Sequence, residues 1–196
     1  MTDIPVRLYP LDSYYSIGAL PQHTAIKQSV LDAIAASKTD TLFSKDDYYE
    51  DSVNKLDWSR ARDFKRPWVK LLFPHIKNYL DELAFALGYQ KSEIDEFWFQ
   101  QYVAGDSHGW HTHGSNFTGV YYLELNESSP KTEIIMPAKQ DRKITVDVKE
   151  GDVLMFPSYT IHRAPKLQND VRKTIVSFNF VFDLINISTL EKINQL

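Results

Sequence analysis

Residues 102–122 read Tyr-Val-Ala-Gly-Asp-Ser-His-Gly-Trp-His-Thr-His-Gly-Ser-Asn-Phe-Thr-Gly-Val-Tyr-Tyr, and the fold expected of this chain is organised around them. The stretch contains three of the six histidines. His111 and His113 are separated by one residue, so in an extended strand both imidazoles point to the same face, about 7 Å apart along the backbone. Two nitrogen ligands placed in this way can bind one metal ion if a third ligand comes from elsewhere. The only histidine further along the chain is His162.

The composition is typical of a soluble globular protein. Of the 196 residues, 43% are hydrophobic and 24% are charged, so one domain can bury a sizeable core. Aromatic residues make up 13%, which favours a β-rich core and an aromatic-lined pocket. The formal net charge of -4 argues against general binding to nucleic acids or anionic membranes. The absence of cysteine excludes disulfides, Cys-ligated zinc, iron–sulfur clusters and thiol nucleophiles.

The sequence predicts a cytoplasmic protein without a membrane partner. Its N-terminal residues lack the apolar segment of a signal peptide, and no run of about 18 apolar residues occurs in the sequence. We expect one domain over residues 1–196, with helical support over about 1–92 and a β-rich core over about 93–185.

The N-terminal part predicts a strand over residues 4–10 and a helix from Pro21 to about Ser37. The apolar residues of this helix recur with helical spacing on one face: Ile26, Val30, Leu31 and Ile34. Residues 38–62 are polar and aromatic and are predicted to form a long loop. We interpret the acidic run within it, residues 46–51, as a solvated surface; the alternative is a lid or a loop that faces a substrate.

A second helix is predicted over residues 67–87, with six apolar residues on one face: Val69, Leu72, Ile76, Leu80, Leu83 and Leu87. Pro74 predicts a kink or a restart, and Gly88 suits the position after the helix end. We expect both helices to support a sheet. The isolated His23 and His75 are interpreted as structural or exposed residues.

Beyond Asp95 the chain consists of short aromatic or β-branched runs separated by turn signals. Six strands are predicted: Glu96–Val103, Phe117–Leu125, Glu133–Met136, Ile144–Val148, Val153–Phe156 and Lys173–Phe182. The segments between them are rich in Gly, Asp, Asn, Ser and Pro. Many short strands at this spacing indicate a barrel or a double-sheet jelly roll, so the expected class is α+β, mainly β.

Three further features bear on the histidines as metal ligands, since an isolated His-x-His also occurs in exposed pairs and in hydrogen-bonded cores. His162 follows a turn, a strand and a proline exit over residues 151–158, which would hold it rigidly. Arg172 lies ten residues later at the start of a long apolar strand, where an inward-pointing charge needs an anionic partner. Tyr102, on the strand before His111, can offer its hydroxyl group to the same cavity.

At these residues the sequence resembles the 2-oxoglutarate- and Fe(II)-dependent dioxygenases, specifically the prolyl-4-hydroxylase-like branch of bacteria and phages. The resemblance covers residues from about 95 to 183 and keeps the family's spacing throughout. It rests on Tyr102 and Gly105, His111-Thr112-His113, Gly119 to Leu123, Gly151-Asp152, Phe156-Pro157, His162 and Arg172-Lys173-Thr174. It implies a double-stranded β-helix (jelly-roll) core supported by N-terminal helices.

The resemblance also implies the cofactors and the roles of the site residues. His111 and His162 would be imidazole ligands of Fe(II). Arg172 would bind the distal carboxylate of 2-oxoglutarate through a bidentate ion pair, and Thr174 and Tyr102 would add hydrogen bonds from their hydroxyl groups. The implied reaction uses O2 to hydroxylate a peptide (prolyl) or small-molecule substrate and converts 2-oxoglutarate to succinate and carbon dioxide.

His113 departs from the family pattern, because these enzymes typically hold iron with two histidines and one carboxylate. A third neutral ligand leaves the metal unit one charge more positive, which should favour a dianionic cosubstrate. Three outcomes stay open: a working iron site with His113 as third ligand, a site for zinc or nickel, or a site that binds without turnover. His108 is interpreted as a pocket residue, and Trp110 is expected to pack beside His111.

Three other functions compete with this interpretation. A cupin-like three-histidine protein, either an oxygenase without 2-oxoglutarate or a metal-binding module, gives Arg172 no role. A nucleic-acid demethylase of the same superfamily needs a basic face, which the acidic balance of the chain does not favour. A catalytically silent binding or structural protein is the last alternative, and the missing carboxylate is the feature that favours it.

Overall fold

The order of strands and helices along the chain already separates a helical first part from a strand-rich second part. The structure, a computed structural model, describes residues 13–45, 50–136 and 139–193, so the strand predicted over 4–10 lies outside the described residues. The elements are β1 (Ser16–Ala19), α1 (His23–Ala35), β2 (Asp40–Lys45), β3 (Glu50–Leu56), a 3₁₀ helix (Trp58–Arg60), α2 (Pro67–Ala86), β4 (Tyr89–Tyr102), β5 (His108–His111), β6 (Phe117–Glu124), β7 (Glu133–Met136), β8 (Lys139–Thr145), β9 (Asp152–Pro157), β10 (His162–Ala164), β11 (Lys173–Ile185) and α3 (Ile187–Ile193).

The strands form two antiparallel sheets. Over the described residues, the larger sheet has seven strands in the order β1-β9-β6-β11-β4-β3-β2, and the smaller sheet has four in the order β5-β10-β7-β8. The long strands β4 and β11 pair over most of their length at the middle of the larger sheet. This arrangement is the double-stranded β-helix, so the prediction of a mainly β, jelly-roll fold is confirmed.

Each face of the larger sheet packs against a different partner. Along β11, Val176, Phe178 and Phe180 belong to a core shared with α1 and α2. Ile175 belongs instead to a second core, together with Ile134 of the smaller sheet. Successive residues of a strand point to opposite faces. Odd-numbered residues near the start of β11 therefore face the smaller sheet, and even-numbered residues face away from it.

The two predicted helices are present, with buried faces that include Val30, Leu31 and Ile34 in α1 and Val69, Leu72, Ile76 and Leu80 in α2. Helix α2 continues through Pro74, so the predicted restart does not occur. Gly88 has a φ of +87°, a left-handed conformation that glycine adopts without a Cβ clash. The ring of His23 makes a 2.7 Å hydrogen bond with the hydroxyl group of Tyr121, which ties α1 to the larger sheet. Among the described residues, no helix is both long and apolar enough to cross a membrane.

The loop predicted over residues 38–62 is wrong. The segment forms the β2–β3 hairpin and a 3₁₀ helix, and β3 extends the larger sheet by pairing with β4. Val53 and Leu56 are buried in the core between the sheets and hold the hairpin in place. These two residues are three positions apart and are separated by polar side chains, so no strand period is visible in the sequence. The predicted helical support therefore also contributes strands to the sheet.

The acidic run within that segment differs from its predicted solvated state at one residue. Residues 46–49 lie outside the described residues. Asp51 is on β3, and only 13% of its side chain is exposed. The solvated interpretation is therefore wrong for Asp51, which points inward beside β5.

Candidate metal centre and its cavity

The three predicted metal ligands come together at the edge of the smaller sheet. His111 ends β5, His162 begins β10, and the two residues are directly opposite each other in the ladder between these strands. His113 follows β5, and its backbone N–H donates to the carbonyl of Ser158 at 2.9 Å. Each ring offers one nitrogen such that all three nitrogens lie within 4.8 Å of one another.

Two of the rings are oriented by their own backbone. Nδ1 of His111 hydrogen-bonds to the carbonyl of Gly109 at 2.7 Å, and Nδ1 of His162 hydrogen-bonds to the carbonyl of Thr160 at 2.9 Å. A carbonyl only accepts, so each Nδ1 carries the proton and each Nε2 is left with a free lone pair. Metal-binding histidines are typically held in this way.

The distances between the rings suit a single metal ion. Nε2 of His113 lies 3.3 Å from Nε2 of His162. Two nitrogens bound at 2.0–2.1 Å to one ion in tetrahedral or octahedral geometry lie about 2.8–3.4 Å apart. The ring centroid of His111 lies 4.2 Å from that of His162 and 5.1 Å from that of His113.

Burial keeps the three imidazoles neutral. Loss of hydration lowers the pKa of His111, brings the pKa of His113 to about 4 and lowers the pKa of His162 well below its usual value. The neighbouring imidazoles lower the pKa values of His113 and His162 further, since two positive rings would repel each other. Neutral imidazole is the form that binds a metal ion, so the site is ready for a cation at pH 7.

The imidazoles line a small cavity between the two sheets. Its remaining walls are aromatic, aliphatic and polar: Trp98, Gln100, Tyr102, His108, Thr118, Val120, Thr132, Arg163, Ala164, Ile175 and Ser177. The cavity volume is about 30 Å³, which is room for about two water molecules. A larger ligand therefore enters only when the lining side chains move apart.

Arg172, predicted to bind the distal carboxylate of 2-oxoglutarate, is not part of the described lining of this cavity. Its Nε and Nη2 donate to the two carboxylate oxygens of Glu124 at 2.8 and 2.7 Å, and 51% of its side chain is exposed. Thr174 is buried, and its hydroxyl group also donates to Glu124. The anionic partner expected for Arg172 is thus a residue of this chain. Strand parity explains the position of Thr174, which lies on the face of β11 opposite to Ile175, and Arg172, just before β11, shares its partner Glu124.

Lys173, which sequence reasoning did not single out, is the neighbouring cation and is buried. It is directly opposite Tyr102 in the β4–β11 ladder, so the two side chains share one face of the sheet. Its Nζ donates to the carbonyl of Pro130 at 2.8 Å and lies 5.5 Å from the centroid of the Tyr102 ring. Burial lowers the pKa of Lys173 to about 8, and in the described part of the chain no acidic group offsets this effect.

Two buried hydroxyl groups beside this lysine have no hydrogen-bond partner among the described residues, those of Tyr102 and Ser129. Ser129 precedes Pro130, whose carbonyl binds the ammonium group. Burial raises the pKa of Tyr102, so its phenol keeps the proton and can donate it in a hydrogen bond. Unpaired buried polar groups are costly, and a bound carboxylate would accept from both the ammonium and the phenol. The donors therefore fit one end of a dicarboxylic acid.

His108 lines the cavity as predicted, yet it is not one of the three converging ligands. Its ring stacks on that of His111 with the centroids 3.9 Å apart. Its Nδ1 lies 3.3 Å from Nε2 of Gln100, and its Nε2 lies 3.8 Å from Oδ1 of Asp51. Both nitrogens thus face protein groups.

Trp110 packs under the guanidinium of Arg163, at 4.5 Å, because neighbouring residues of a strand point to opposite faces.

Comparisons with known proteins point to one family. Residues 96–179 match the sequence model of the family described as "Putative 2OG-Fe(II) oxygenase". This match includes His111, His113 and His162 and ends before the C-terminal part of β11. A search of curated proteins finds no match to the chain.

Solved structures share the fold at low sequence identity. An oxidoreductase of the 2OG-Fe(II) oxygenase family from Burkholderia pseudomallei is 8% identical with a TM-score of 0.68, covering 88% of this chain and 87% of that chain. A prolyl hydroxylase from Trichoplax adhaerens, in complex with a hypoxia-inducible factor peptide fragment, is 16% identical with a TM-score of 0.61, covering 86% and 83%. The epimerase SnoN of nogalamycin biosynthesis, in complex with Fe3+, alpha ketoglutarate and nogalamycin RO, is 12% identical with a TM-score of 0.62, covering 87% and 79%.

At these identities the structural likeness establishes the fold alone, and the sequence match to the family is confined to residues 96–179. The three histidines that converge in the structure lie inside the matched segment. Over residues 96–179 the chain is thus similar in sequence to the 2-oxoglutarate- and Fe(II)-dependent oxygenases, and its fold is the one that solved members of that family have.

Proposed function

We propose that this protein is a hydroxylase that holds Fe(II) with His111, His113 and His162 and anchors 2-oxoglutarate with Lys173. The observation that carries the proposal is that three neutral imidazoles converge in a cavity lined by Tyr102, and that Tyr102 is paired across the sheet with a buried ammonium group that has no acidic partner among the described residues. When bound, iron and 2-oxoglutarate supply the oxidation, in which O2 is consumed, 2-oxoglutarate becomes succinate and carbon dioxide, and the substrate gains a hydroxyl group.

Different residues bind the metal cation and the carboxylate of the cosubstrate. The imidazoles bind the cation without neutralising it, because all three are uncharged at pH 7. Lys173 and the phenol of Tyr102 take the distal carboxylate of the cosubstrate. A centre with three neutral ligands is one charge more positive than one with a carboxylate ligand, and this favours a dianion over a neutral ligand. Trp98 and Val120 help to exclude water from the cavity.

We place the primary substrate in a groove that adjoins His113. The groove has a volume of about 720 Å³ and a polar lining: Arg62, Asp95, Glu96, Gly114, Ser115, Asn116, Asn179 and Val181. Gly114 to Asn116 directly follow His113, and Asn179 accepts a hydrogen bond from Thr118, which lines the cavity of the imidazoles. This lining suits a polar substrate, either a peptide such as a prolyl segment or a small metabolite with hydrogen-bonding groups.

A metal-binding module without 2-oxoglutarate is the second candidate, and one feature favours it. His113 stands where the family has a carboxylate, so the ligand set also suits zinc or nickel. Such a module gives no role to Lys173, whose buried charge costs stability without a partner. We therefore favour the oxygenase.

Anaerobic spectroscopy tests the proposal directly. Addition of Fe(II) and then 2-oxoglutarate should produce the visible charge-transfer band of an iron–keto acid chelate, and O2 should then yield succinate. His162→Asn should abolish the band, whereas the control His75→Asn, in α2 and outside the cavity lining, should keep it. Tight metal binding with neither a band nor succinate would favour the metal-binding module instead.

A further inference from the structure

Asp51 reaches the imidazole cluster from a strand outside the family match. It lies on β3, and its Oδ1 accepts the backbone N–H of Gly109 at 2.8 Å. The same oxygen lies 3.8 Å from Nε2 of His108. Its side chain is only 13% exposed, so the charge acts on its surroundings with little screening by water.

Two short routes connect this carboxylate to His111. The first passes through Gly109, whose N–H binds Asp51 and whose carbonyl accepts Nδ1–H of His111 at 2.7 Å. The second passes through His108, whose ring stacks on His111 with an angle of 20° between the planes. Both routes end at His111, and Asp51 is not one of the three converging ligands, so it can orient this ring without binding the metal itself.

The hydrogen bonds of Gln100 bear on which nitrogen of His108 carries the proton. Oε1 of Gln100 accepts from the hydroxyl group of Ser177 at 3.4 Å, and its amide Nε2 faces Nδ1 of His108 at 3.3 Å. With the amide in this orientation Nδ1 is the acceptor, and the proton of the neutral imidazole is on Nε2, which faces Asp51. In this form His108 has no free lone pair for the metal.

The carboxylate also changes the electrostatics of the centre. The three converging ligands are neutral imidazoles, so they bring no negative charge to the metal. Asp51 is close enough to act on this centre, because its Oδ1 accepts the N–H of Gly109, whose carbonyl binds His111. A carboxylate that is linked to a metal-binding histidine makes the imidazole a stronger ligand.

We propose that Asp51 is a positioning residue of the metal centre, and that it supplies from β3 the negative charge that the His-x-His pair lacks. It acts through Gly109 and His108 on the orientation and basicity of His111. This inference rests on the proposed metal site.

Titration with Co(II) alone separates the charge of Asp51 from its structural role. Asp51→Asn keeps the shape and can still accept the N–H of Gly109, so a purely structural role leaves the affinity for Co(II) unchanged. Loss of the charge should weaken Co(II) binding about tenfold. The matched control is Asp147→Asn, the same substitution at a side chain that is 98% exposed, and it should bind like the parent chain.

The outcomes distinguish the two proposals. Tenfold weaker binding in Asp51→Asn alone supports the role of Asp51, and binding within twofold of Asp147→Asn overturns it while leaving the metal site intact. A parent chain that does not bind Co(II) overturns both. If Asp51→Asn does not fold, ¹⁵N–¹H spectra of the imidazoles in the unaltered, metal-free chain still decide. The proton of His108 should be on Nε2 and that of His111 on Nδ1; a proton on Nδ1 of His108 would overturn the proposal.

Discussion

Replacement of Lys173 by methionine should stabilise the metal-free chain while abolishing tight binding of 2-oxoglutarate. Methionine has nearly the same length as lysine but no charge. Burial lowers the pKa of Lys173 from 10.5 to about 8, so holding the charged form in the folded state costs about 3 kcal/mol. Removal of the charge stabilises the folded state by this amount, but loss of the hydrogen bond to the carbonyl of Pro130 destabilises it by about 1 kcal/mol. We expect a net gain of about 2 kcal/mol, or roughly 4–8 °C in Tm for a chain of this size.

The pH dependence of this gain has a definite sign. The pKa of Lys173 is lower in the folded state than in the unfolded state, so the unfolded chain binds more protons between about pH 8 and pH 10.5. The destabilisation caused by the buried charge of Lys173 is therefore complete below about pH 8 and decreases as the pH rises towards 10.5. The advantage of Lys173→Met over the parent chain should shrink accordingly above pH 8.

Lys173→Met should weaken the binding of 2-oxoglutarate, although it stabilises the metal-free chain. Removal of one partner of a buried charge pair costs about 2–5 kcal/mol, which corresponds to a loss of affinity of at least about thirtyfold. Metal affinity should stay unchanged, because Lys173 bonds to Pro130 and not to the imidazoles. Arg172→Met is the matched control, since its ion pair with Glu124 is half exposed and contributes little.

The assay is an anaerobic titration of the Fe(II)-loaded chain with 2-oxoglutarate, followed by its charge-transfer band, together with thermal unfolding of the metal-free chain. Loss of 2-oxoglutarate affinity in Arg172→Met but not in Lys173→Met would refute the assignment of the anchoring cation. A Lys173→Met chain that binds 2-oxoglutarate like the parent would refute it equally.

Three further predictions concern the ligand set, the core and acid stability. His113→Asp should keep the metal but weaken 2-oxoglutarate binding in calorimetry, because the metal unit loses one positive charge; stronger binding would contradict the charge argument. Gly119→Ala should lower Tm, since a Cβ there would lie 2.0 Å from the ring of Phe178 and overpacking costs about 1–3 kcal/mol, whereas Gly114→Ala, with nothing within 4 Å, should not. The metal-free chain should lose stability in urea as the pH falls from about 6.5 towards 4, because burial brings the pKa of His113 to about 4 and the unfolded chain binds more protons in that window; equal stability at pH 7 and pH 5 would contradict this.

The spacing of a few residues was enough to predict which histidines come together in the structure. His111 and His113 are near neighbours in the chain, and the strand that precedes His162 is rigid and apolar, so local structure determines where these rings point. The helices and the jelly roll could be predicted for the same reason, since their apolar patterns repeat within short stretches. The hairpin of β2 and β3 could not, because its stability comes from pairing with β4 rather than from its own pattern.

The identity of the buried cation could not be predicted from the sequence. Arg172 and Lys173 are adjacent, and a shift of one residue reverses the face of a strand to which each side chain points. The irregular segment between β10 and β11 leaves that parity open, so only the pairing of Lys173 with Tyr102 decides which charge lies on the face of the sheet that carries Tyr102. The same holds for Asp51, which approaches Gly109 from 58 residues away. Short-range periodicity thus determined the elements and the imidazoles by itself, whereas strand register and long-range contacts, which depend on the whole packed fold, decided the charges around them.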